Sequence, residues 1–320
     1  MPDSPAIQLL TDDGMAGHGW EGHPEGPDRL GAVAEGVEDA ATGLGVALER
    51  PLVEEASTEE LVRIHAPWYI AALDAAAGRG GGWIDADTHV AAGSMRAARL
   101  AAGATIAAAR AASRREATVA FAVVRPPGHH AAEERAAGFC LINNVAIAAA
   151  ALRAEGLAQR IAIVDWDVHH GDGTQAVFDA DPDLCYASSH QWPYYPGTGA
   201  PDEQGSGEAI GTKHNVPLPA GAGDEAFEAA WLDRLLPAVE DFAPEAILVS
   251  CGFDAHRADP LAMLRVSEEG FGTVASELGQ VARRLGIGGV GLTLEGGYDL
   301  QALRASAAMT VMGLARGLIG

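Results

Sequence analysis

One short segment holds most of the side chains that can do chemistry. From Asp165 onward the chain reads Asp-Trp-Asp-Val-His-His-Gly-Asp-Gly, which places three carboxylates and two imidazoles within eight positions. In an extended chain Asp165, Asp167 and His169 share one side, because alternate side chains of a strand point the same way. Asp167 and His169 can therefore bind one metal ion. Asp254 follows a later apolar run and can supply a third ligand.

Three protein ligands that leave one position for water are typical of a catalytic zinc site. The oxygen-rich set of Asp167, His169 and Asp254 favours zinc, with iron(II) as the alternative metal. Any one of these acids or histidines alone is more typical of a loop cap or a solvated turn. Their combination after apolar runs indicates a metal site instead.

A pair of adjacent histidines, His129 and His130, follows a Pro-Pro-Gly turn after another apolar run. Without cysteines nearby, the pair suits proton transfer at least as well as metal binding. We expect His129 to pair with Asp165 and His130 with Asp172, because a carboxylate that accepts the Nδ1 proton raises imidazole basicity. Tyr298, after two glycines, can donate to an oxyanion, although a lone tyrosine is more typical of a core.

These polar segments follow short β-rich runs that alternate with alanine-rich runs of helical periodicity. The β-rich runs cover residues 118–124, 161–164, 184–187, 246–250 and 289–294. The helical runs cover residues 94–113, 143–155, 224–239, 267–285 and 300–314. The alternation predicts an α/β fold with a mostly parallel sheet and helices on both faces. Ligands bind beyond the carboxyl ends of such strands, so the polar segments are expected to converge on one pocket.

Composition restricts the class of protein. The 320 residues are 48% hydrophobic and show no shift in composition, which predicts one catalytic domain over residues 1–320. There are 44 acidic and 21 basic residues, and the net charge of −23 disfavours direct binding to nucleic acid. This acidity is more typical of surface solvation than of substrate steering, and it is compatible with an amine-bearing substrate.

Two segments without strong periodicity are expected to be loops. Residues 78–82 are rich in glycine and predict a flexible surface loop, whereas residues 193–207 predict a long ordered loop near the site. The three cysteines, Cys140, Cys185 and Cys251, lie in apolar or glycine-flanked runs and are expected to be reduced core thiols. A cytoplasmic location follows. Neither a targeting segment nor a membrane-spanning run is expected, and a homo-oligomer is left open.

Together these segments resemble the histone deacetylase and acetylpolyamine amidohydrolase family, which has the arginase-like α/β fold. Seven motifs in order carry the resemblance, at residues 23–29, 125–130, 138–144, 165–173, 196–199, 251–260 and 295–300. The Leu-Glu-Gly-Gly-Tyr motif and the Gly-Phe-Asp motif are similar to the class II branch. The resemblance implies that Asp167, His169 and Asp254 are the zinc ligands. It also implies that His130 is the general base and acid, with His129 as an electrostatic partner or proton reservoir.

The resemblance further implies a narrow substrate channel. Tyr298 would polarise the acyl carbonyl at its end. Phe139 and Tyr195 would form two aromatic walls, with Gly138 at the floor. Because the family usually has phenylalanine where this chain has Tyr195, an extra hydroxyl is expected at the rim.

Four other positions follow from the same resemblance. Asp165 and Ser188 would contribute to a potassium site. Asp87 would be the rim acid that holds the substrate backbone. Polyamine-preferring relatives have a carboxylate where this chain has Leu261, which favours peptide or broad substrates. Dinuclear arginases need a further carboxylate where this chain has His256, which favours a single metal.

The expected function is therefore a zinc-dependent deacylase that hydrolyses the amide of acetyl-lysine in a peptide or protein. The first alternative is an acetylpolyamine amidohydrolase, which would use the same mechanism on an acylated small amine. The second alternative is a protein that keeps the fold and binds acylated ligands without turnover.

Overall fold

Short apolar runs form the strands of a central sheet in the computed structural model, which describes residues 6–115 and 118–320. In chain order the strands are β1 (Ile7–Leu10), β2 (Leu48–Glu49), β3 (Gly81–Trp83), β4 (His89–Ala91), β5 (Val119–Ala122), β6 (Ile161–Asp165), β7 (Leu184–Gln191), β8 (Lys213–Leu218), β9 (Ala246–Cys251) and β10 (Val290–Leu294). Strands β3 and β4 form a separate antiparallel pair. The other eight form one sheet in the order β2-β1-β5-β10-β9-β6-β7-β8.

Every neighbouring pair in the eight-stranded sheet is parallel. All carboxyl ends of these strands therefore lie at the same edge. The histidine pair follows β5, and the glycine-tyrosine turn follows β10. Asp254 follows β9, and the segment that begins at Asp165 starts at the last residue of β6. These four strands are consecutive neighbours in the sheet. Sheet order alone thus brings the four chemical segments together at the centre of one edge.

Helices cover both faces of the sheet, as predicted. They are α1 (Asp28–Leu44), α2 (Thr58–Leu61), α3 (Pro67–Gly78), α4 (Ser94–Ser113), α5 (Asn144–Ala154), α6 (Asp172–Phe178), α7 (Asp224–Ala230), α8 (Leu236–Phe242), α9 (Glu268–Arg284) and α10 (Leu300–Ile319). Alternate side chains of β6 enter different apolar clusters: Val164 packs in the one that includes α1, α9 and α10, and Ile163 in the one that includes α3 and α5. Burial on both faces explains why strands such as β5 and β6 are apolar along nearly their whole length.

The helix expected over residues 224–239 is interrupted by a π-helical turn at Trp231–Leu235. Pro237 is the second residue of the helix that follows and has no backbone N–H with which to continue an α-helical ladder. The indole of Trp231 donates a hydrogen bond to Ser189 Oγ at 2.9 Å. This hydrogen bond links the π-helical turn to β7.

The expectation of a flexible loop at residues 78–82 is wrong. Gly78 ends α3, and Gly81 begins β3, which pairs with β4. Gly81 has φ of +90°, and a Cβ atom there would lie 1.9 Å from the carbonyl oxygen of Val90. Glycine at this position permits the close approach of two strands, so it indicates a tight ribbon and not mobility.

Within the described residues, α10 is the one helix that is long and apolar enough to cross a membrane by length and composition. The sequence analysis expected no such run. In the structure α10 packs against α1 and α9, and 61% of its most apolar window is buried. Its apolarity is thus accounted for by packing in the core. The three cysteines are free and buried, as predicted.

Candidate active site

The three expected metal ligands meet at the carboxyl edge of the sheet. Asp167 and His169 follow β6, and Asp254 follows the neighbouring strand β9. One ligand atom from each residue lies within 4.8 Å of the other two. His169 Nδ1 lies 3.1 Å from Asp167 Oδ1 and 3.2 Å from Asp254 Oδ2. All three side chains can therefore reach a common ion.

The chemistry of this cluster fits a divalent cation. Among the described residues, Asp254 Oδ2 is a buried oxygen that accepts no hydrogen bond of normal geometry, although His169 Nδ1 lies 3.2 Å away, and such an oxygen is costly in a dry interior. Burial, followed by the charge of Asp167, raises the pKa of Asp254 to about 7. A cation would neutralise these two carboxylates and give the unpaired oxygen a partner. One imidazole nitrogen and two carboxylate oxygens suit zinc or iron(II).

Two glycines allow the ends of β9 and β10 to approach the carboxylates. A Cβ atom at Gly252 would lie 2.1 Å from Asp167 Oδ2, and one at Gly296 would lie 2.0 Å from Asp254 Oδ2. The backbone N–H of Gly296 donates to Asp167 Oδ2 at 2.7 Å, and that of Val168 donates to Asp254 Oδ1 at 2.8 Å. Backbone donors thus fix one oxygen of each carboxylate.

Both histidines of the pair contact the carboxylates expected from the sequence. His129 Nδ1 lies 3.1 Å from Asp165 Oδ2, and His130 Nδ1 lies 2.7 Å from Asp172 Oδ1. The two imidazole centroids are 4.1 Å apart. Both rings line the cavity described below, so each has one nitrogen turned to a carboxylate and its other edge near the metal cluster.

The electrostatic environments of the two histidines are opposite. Burial lowers the pKa of His129, but the charges of Asp167 and Asp165 outweigh it and raise this pKa well above the usual value. Burial, followed by the charge of His129, lowers the pKa of His130 to about 3. His130 is therefore favoured as a neutral imidazole. A neutral imidazole can accept a proton, as a general base must.

Arg135 contacts the far side of the carboxylate that holds His130. Its Nη2 lies 2.5 Å from Asp172 Oδ2, while Asp172 Oδ1 faces His130. Burial raises the pKa of Asp172, but His130 and Arg135 outweigh it and lower this pKa to about 2. Arg135 thus keeps Asp172 ionised and oriented. The sequence analysis did not identify it.

A cavity of about 240 Å³ opens above the metal cluster. Its walls include all five residues expected in the substrate channel: Gly138, Phe139, Tyr195, Leu261 and Asp87. The ring of Phe139 lies perpendicular to that of Tyr298 at 5.9 Å, and the ring of Tyr195 lies perpendicular to that of His130 at 5.1 Å. The structure therefore places these residues together, although their roles in binding stay predictions.

A larger and more open groove of about 780 Å³ lies on the outer side of Arg135. None of the three expected metal ligands lines it. Enclosure and chemistry matter more than size for a binding site. The smaller cavity above the metal cluster is therefore the candidate active site.

Tyr298 lies in this cavity with its ring over the Arg29 guanidinium, at 5.1 Å from the carbon Cζ to the ring centroid. Its backbone N–H donates to Asp259 Oδ2 at 2.9 Å. Burial, followed by the charge of Asp254, raises the pKa of Tyr298 well above the usual value. The phenol therefore keeps its proton and can donate it in a hydrogen bond.

Three buried charged residues hold the glycine-tyrosine turn that carries Tyr298, and the sequence analysis did not use them. They are Glu25, Arg29 and Arg125. Glu25 accepts hydrogen bonds from Arg29 Nη1 at 3.0 Å and from Arg125 at 2.9 and 2.8 Å. Arg29 also donates to the carbonyl oxygens of Gly297, at 2.6 Å, and Glu295. These residues lie within the motifs at 23–29 and 125–130, which was the available signal.

Glu295 connects two of the chemical segments. Its Oε2 accepts hydrogen bonds from the backbone N–H groups of Gly128 and His129 at 2.7 and 3.1 Å. Its Oε1 accepts a hydrogen bond from the Ser250 hydroxyl at 3.0 Å. Burial raises the pKa of Glu295 to about 7. Its side chain therefore holds the histidine loop against the end of β10.

The two residues expected at a potassium site lie behind the metal cluster. Asp165 on β6 pairs in register with Ser188 on β7. Ser188 Oγ lies 3.0 Å from His190 Nδ1, and Tyr186 donates its hydroxyl hydrogen to Asp165 Oδ2 at 2.9 Å. The potassium site itself stays a prediction.

Comparison with known proteins now places the chain. The histone deacetylase domain model matches residues 23–314. A probable deacetylase of Archaeoglobus fulgidus is 39% identical over 281 residues, which cover 87% of this chain and 77% of that protein. The histone deacetylase-like amidohydrolase of Pseudomonas aeruginosa is 36% identical over 279 residues, with 87% and 73% covered.

A solved structure agrees with these relatives. The crystal structure of the HDA15 HD domain superposes with a TM-score of 0.86 at 37% identity, covering 95% of this chain and 89% of that one. The chain belongs to the histone deacetylase family. It is a hydrolase of amides and has the α/β fold of that family, as the sequence predicted.

Proposed function

We propose that this chain is a zinc-dependent deacylase that acts on acetyl-lysine in peptides or proteins. The observation that carries the proposal is the Asp-His-Asp cluster at the base of a cavity with aromatic walls. Asp167, His169 and Asp254 would hold the ion. Zinc in this position supplies Lewis acidity, which polarises an acyl carbonyl and acidifies water.

The chain's own residues supply the proton transfers. His130 is neutral, and its Nδ1 is occupied by Asp172, so its other nitrogen takes the proton of the attacking water. His130 then returns this proton to the departing amine. His129, whose Nδ1 lies 3.1 Å from Asp165 Oδ2 and whose ring lines the same cavity, is placed to stabilise the negative charge that develops nearby.

Tyr298 stabilises the tetrahedral oxyanion. Its hydroxyl stays protonated and lies at the wall of the cavity, so it can donate to the oxygen of the former carbonyl. Such a donor contributes about 3 kcal/mol to the transition state, which corresponds to roughly a hundredfold in kcat.

The cavity walls favour a linear acyl-amine stem. Phe139 and Tyr195 supply aromatic surface, and Leu261 extends it at the rim. An apolar side chain at Leu261 supports a peptide substrate over a polyamine. Acetylpolyamine hydrolysis is kept as a second candidate, because Asp87 at the rim and the net charge of −23 suit a cationic chain.

Two further features belong to the same proposal. A potassium ion at Asp165 and Ser188 would lie behind the zinc ligands, where these residues are paired in the sheet. The buried free thiols support a cytoplasmic location, where cysteines stay reduced.

The test combines metal analysis with turnover of an acetyl-lysine peptide and of N-acetylspermidine. Purified protein is expected to hold one zinc per chain and to prefer the peptide. Tyr298→Phe should lower kcat about a hundredfold and keep its zinc. Tyr195→Phe removes a hydroxyl from the same cavity and should keep kcat close to that of the parent. A zinc-loaded protein that hydrolyses neither substrate contradicts the proposal, and so does a Tyr298→Phe variant with full kcat.

A further inference from the structure

Two half-exposed tryptophans form a patch beside the active-site cavity. Trp20 is 52% exposed and Trp83 is 48% exposed, and their ring centroids are 5.4 Å apart. They come from separate elements, since Trp83 lies on the β3–β4 ribbon and Trp20 on the loop before α1. Two large indoles that remain in water while packed together are typical of a binding surface.

The patch is continuous with the mouth of the cavity. The His23 ring lies perpendicular to Phe139 with centroids 4.6 Å apart, and its centroid is 6.5 Å from that of Trp83. His23 Nε2 lies 3.2 Å from the carbonyl oxygen of Asp87. Phe139 and Asp87 both line the cavity. We call Trp20, Trp83 and His23 the tryptophan shelf.

Exposed carboxylates lie close to the tryptophan shelf along the chain. Glu21 is exposed next to Trp20, and Asp85 is exposed two positions after Trp83. Asp85 accepts the backbone N–H of Asp87 at 3.0 Å, which fixes the turn that carries both acids. Burial, together with hydrogen bonding and charge from Asp85, raises the pKa of Asp87. The two negative charges therefore oppose each other at the rim, and a cation would relieve the repulsion.

Indole faces next to carboxylates fit one side chain better than others. Tryptophan is the strongest cation–π partner, and a guanidinium can stack flat on a ring while it bonds a carboxylate. An apolar occupant would not use the acids, and an acidic occupant would be repelled by them. The chemistry of the shelf therefore favours arginine.

We propose that the tryptophan shelf is a substrate subsite that binds an arginine side chain two residues from the acylated lysine. This inference rests on the proposed deacylase function. An extended peptide advances about 3.3 Å per residue, so side chains two positions apart on one face are separated by about 7 Å. An arginine side chain is long enough to reach from there across His23 to the indoles. The shelf would thus select the sequence around the acyl-lysine.

The experiment measures kcat/KM on three acetyl-lysine peptides that differ only at the second flanking position, which is arginine, leucine or glutamate. Acetyl-lysine amide, which has no flanking residues, is the reference substrate. We expect the arginine peptide to exceed the glutamate peptide by about tenfold, with the difference in KM, and the preference to shrink in added salt.

Variants separate the indoles from the charges. Trp83→Ala and Trp20→Ala should each lower kcat/KM for the arginine peptide about fivefold and leave acetyl-lysine amide unchanged. Asp85→Asn keeps an acceptor for the turn and should reduce the preference for arginine over leucine. Trp68→Ala is the matched control, because Trp68 is 59% exposed on α3 and lies outside the cavity lining.

The outcomes distinguish the subsite from the function. If acetyl-lysine amide is hydrolysed and the three peptides have equal kcat/KM, the arginine subsite is refuted and the deacylase function stands. A leucine peptide that is preferred and depends on Trp83 overturns the assignment to a cation. Absence of turnover on every substrate by the zinc-loaded protein overturns the deacylase function and the subsite with it.

Discussion

The buried carboxylate of Glu25 should be one of the largest single contributors to stability near the active site. It is fully buried and is the carboxylate bonded to the guanidinium groups of Arg29 and Arg125, themselves buried. Glu25→Gln has nearly the same shape but removes the negative charge. Breaking a buried ion pair from one side costs about 3–5 kcal/mol, because the remaining charge is left in a dry interior. This is a large share of the stability of a typical domain, which is about 5–15 kcal/mol.

The effect should depend on pH in a defined direction. Burial raises the pKa of Glu25, but Arg29 and Arg125 outweigh it, and the net pKa in the folded protein lies below the ordinary 4.5. The stabilisation by the carboxylate is therefore fully present above pH 4.5 and is lost as the pH falls through the lowered pKa. The parent and Glu25→Gln should differ most at neutral pH and converge in acid.

Urea unfolding followed by circular dichroism measures both effects. The matched control is Glu240→Gln, because Glu240 also receives two hydrogen bonds from one arginine, Arg284, at 2.6 and 2.8 Å, but at the surface. That variant should lose less than about 1 kcal/mol. Equal losses in the two variants, or a loss below about 1 kcal/mol in Glu25→Gln, would refute the reasoning.

Three further predictions concern single side chains. Arg135→Ala should lower kcat about tenfold with little change in KM, because Asp172 loses its second hydrogen-bond partner. Added guanidinium ion should restore part of the rate. An unchanged kcat in this variant would contradict the role given to Arg135. His65 accepts the backbone N–H of Asn143 at 2.9 Å, and burial lowers its pKa to about 4, so the unfolded state binds more protons between pH 6.5 and 4. The free energy of unfolding should therefore fall by up to about 3 kcal/mol as the pH drops through that range. Urea unfolding at several pH values should show a weaker dependence on pH for His65→Gln than for the parent. Asp254→Asn should lower the bound metal measured by mass spectrometry, and full retention would argue against its role as a ligand.

The strands that carry the site could be predicted from the sequence because each is a buried apolar run that ends in polar residues. The expected run at 161–164 corresponds to β6 at Ile161–Asp165, and the expected helix at 94–113 has the bounds of α4. Helix α1 was missed, since it contains three glycines, which disfavour a helix. A Cβ atom at one of them, Gly36, would lie 2.3 Å from the carbonyl oxygen of Arg304 in α10. Packing between helices, which local sequence does not report, explains that glycine.

The supporting charges could not be derived from local patterns for a related reason. Glu25 and Arg125 are 100 positions apart, and Arg29 is 268 positions from the carbonyl oxygen of Gly297 that it binds. Each looks like an ordinary surface charge until the sheet order is known. The expected ligands and histidines, in contrast, are concentrated in short segments. Their grouping alone was enough to indicate a site.

The tight fit of Gly252 and Gly296 against the carboxylates limits how this enzyme can diversify. At either position even a methyl group would displace an oxygen of Asp167 or Asp254. Substitution at the base of the cavity is therefore penalised at once, whereas Trp83 at the rim is half exposed and can change without displacing a metal ligand. Substitutions that change substrate preference are therefore expected at the entrance of the cavity, with Gly252 and Gly296 kept at its base.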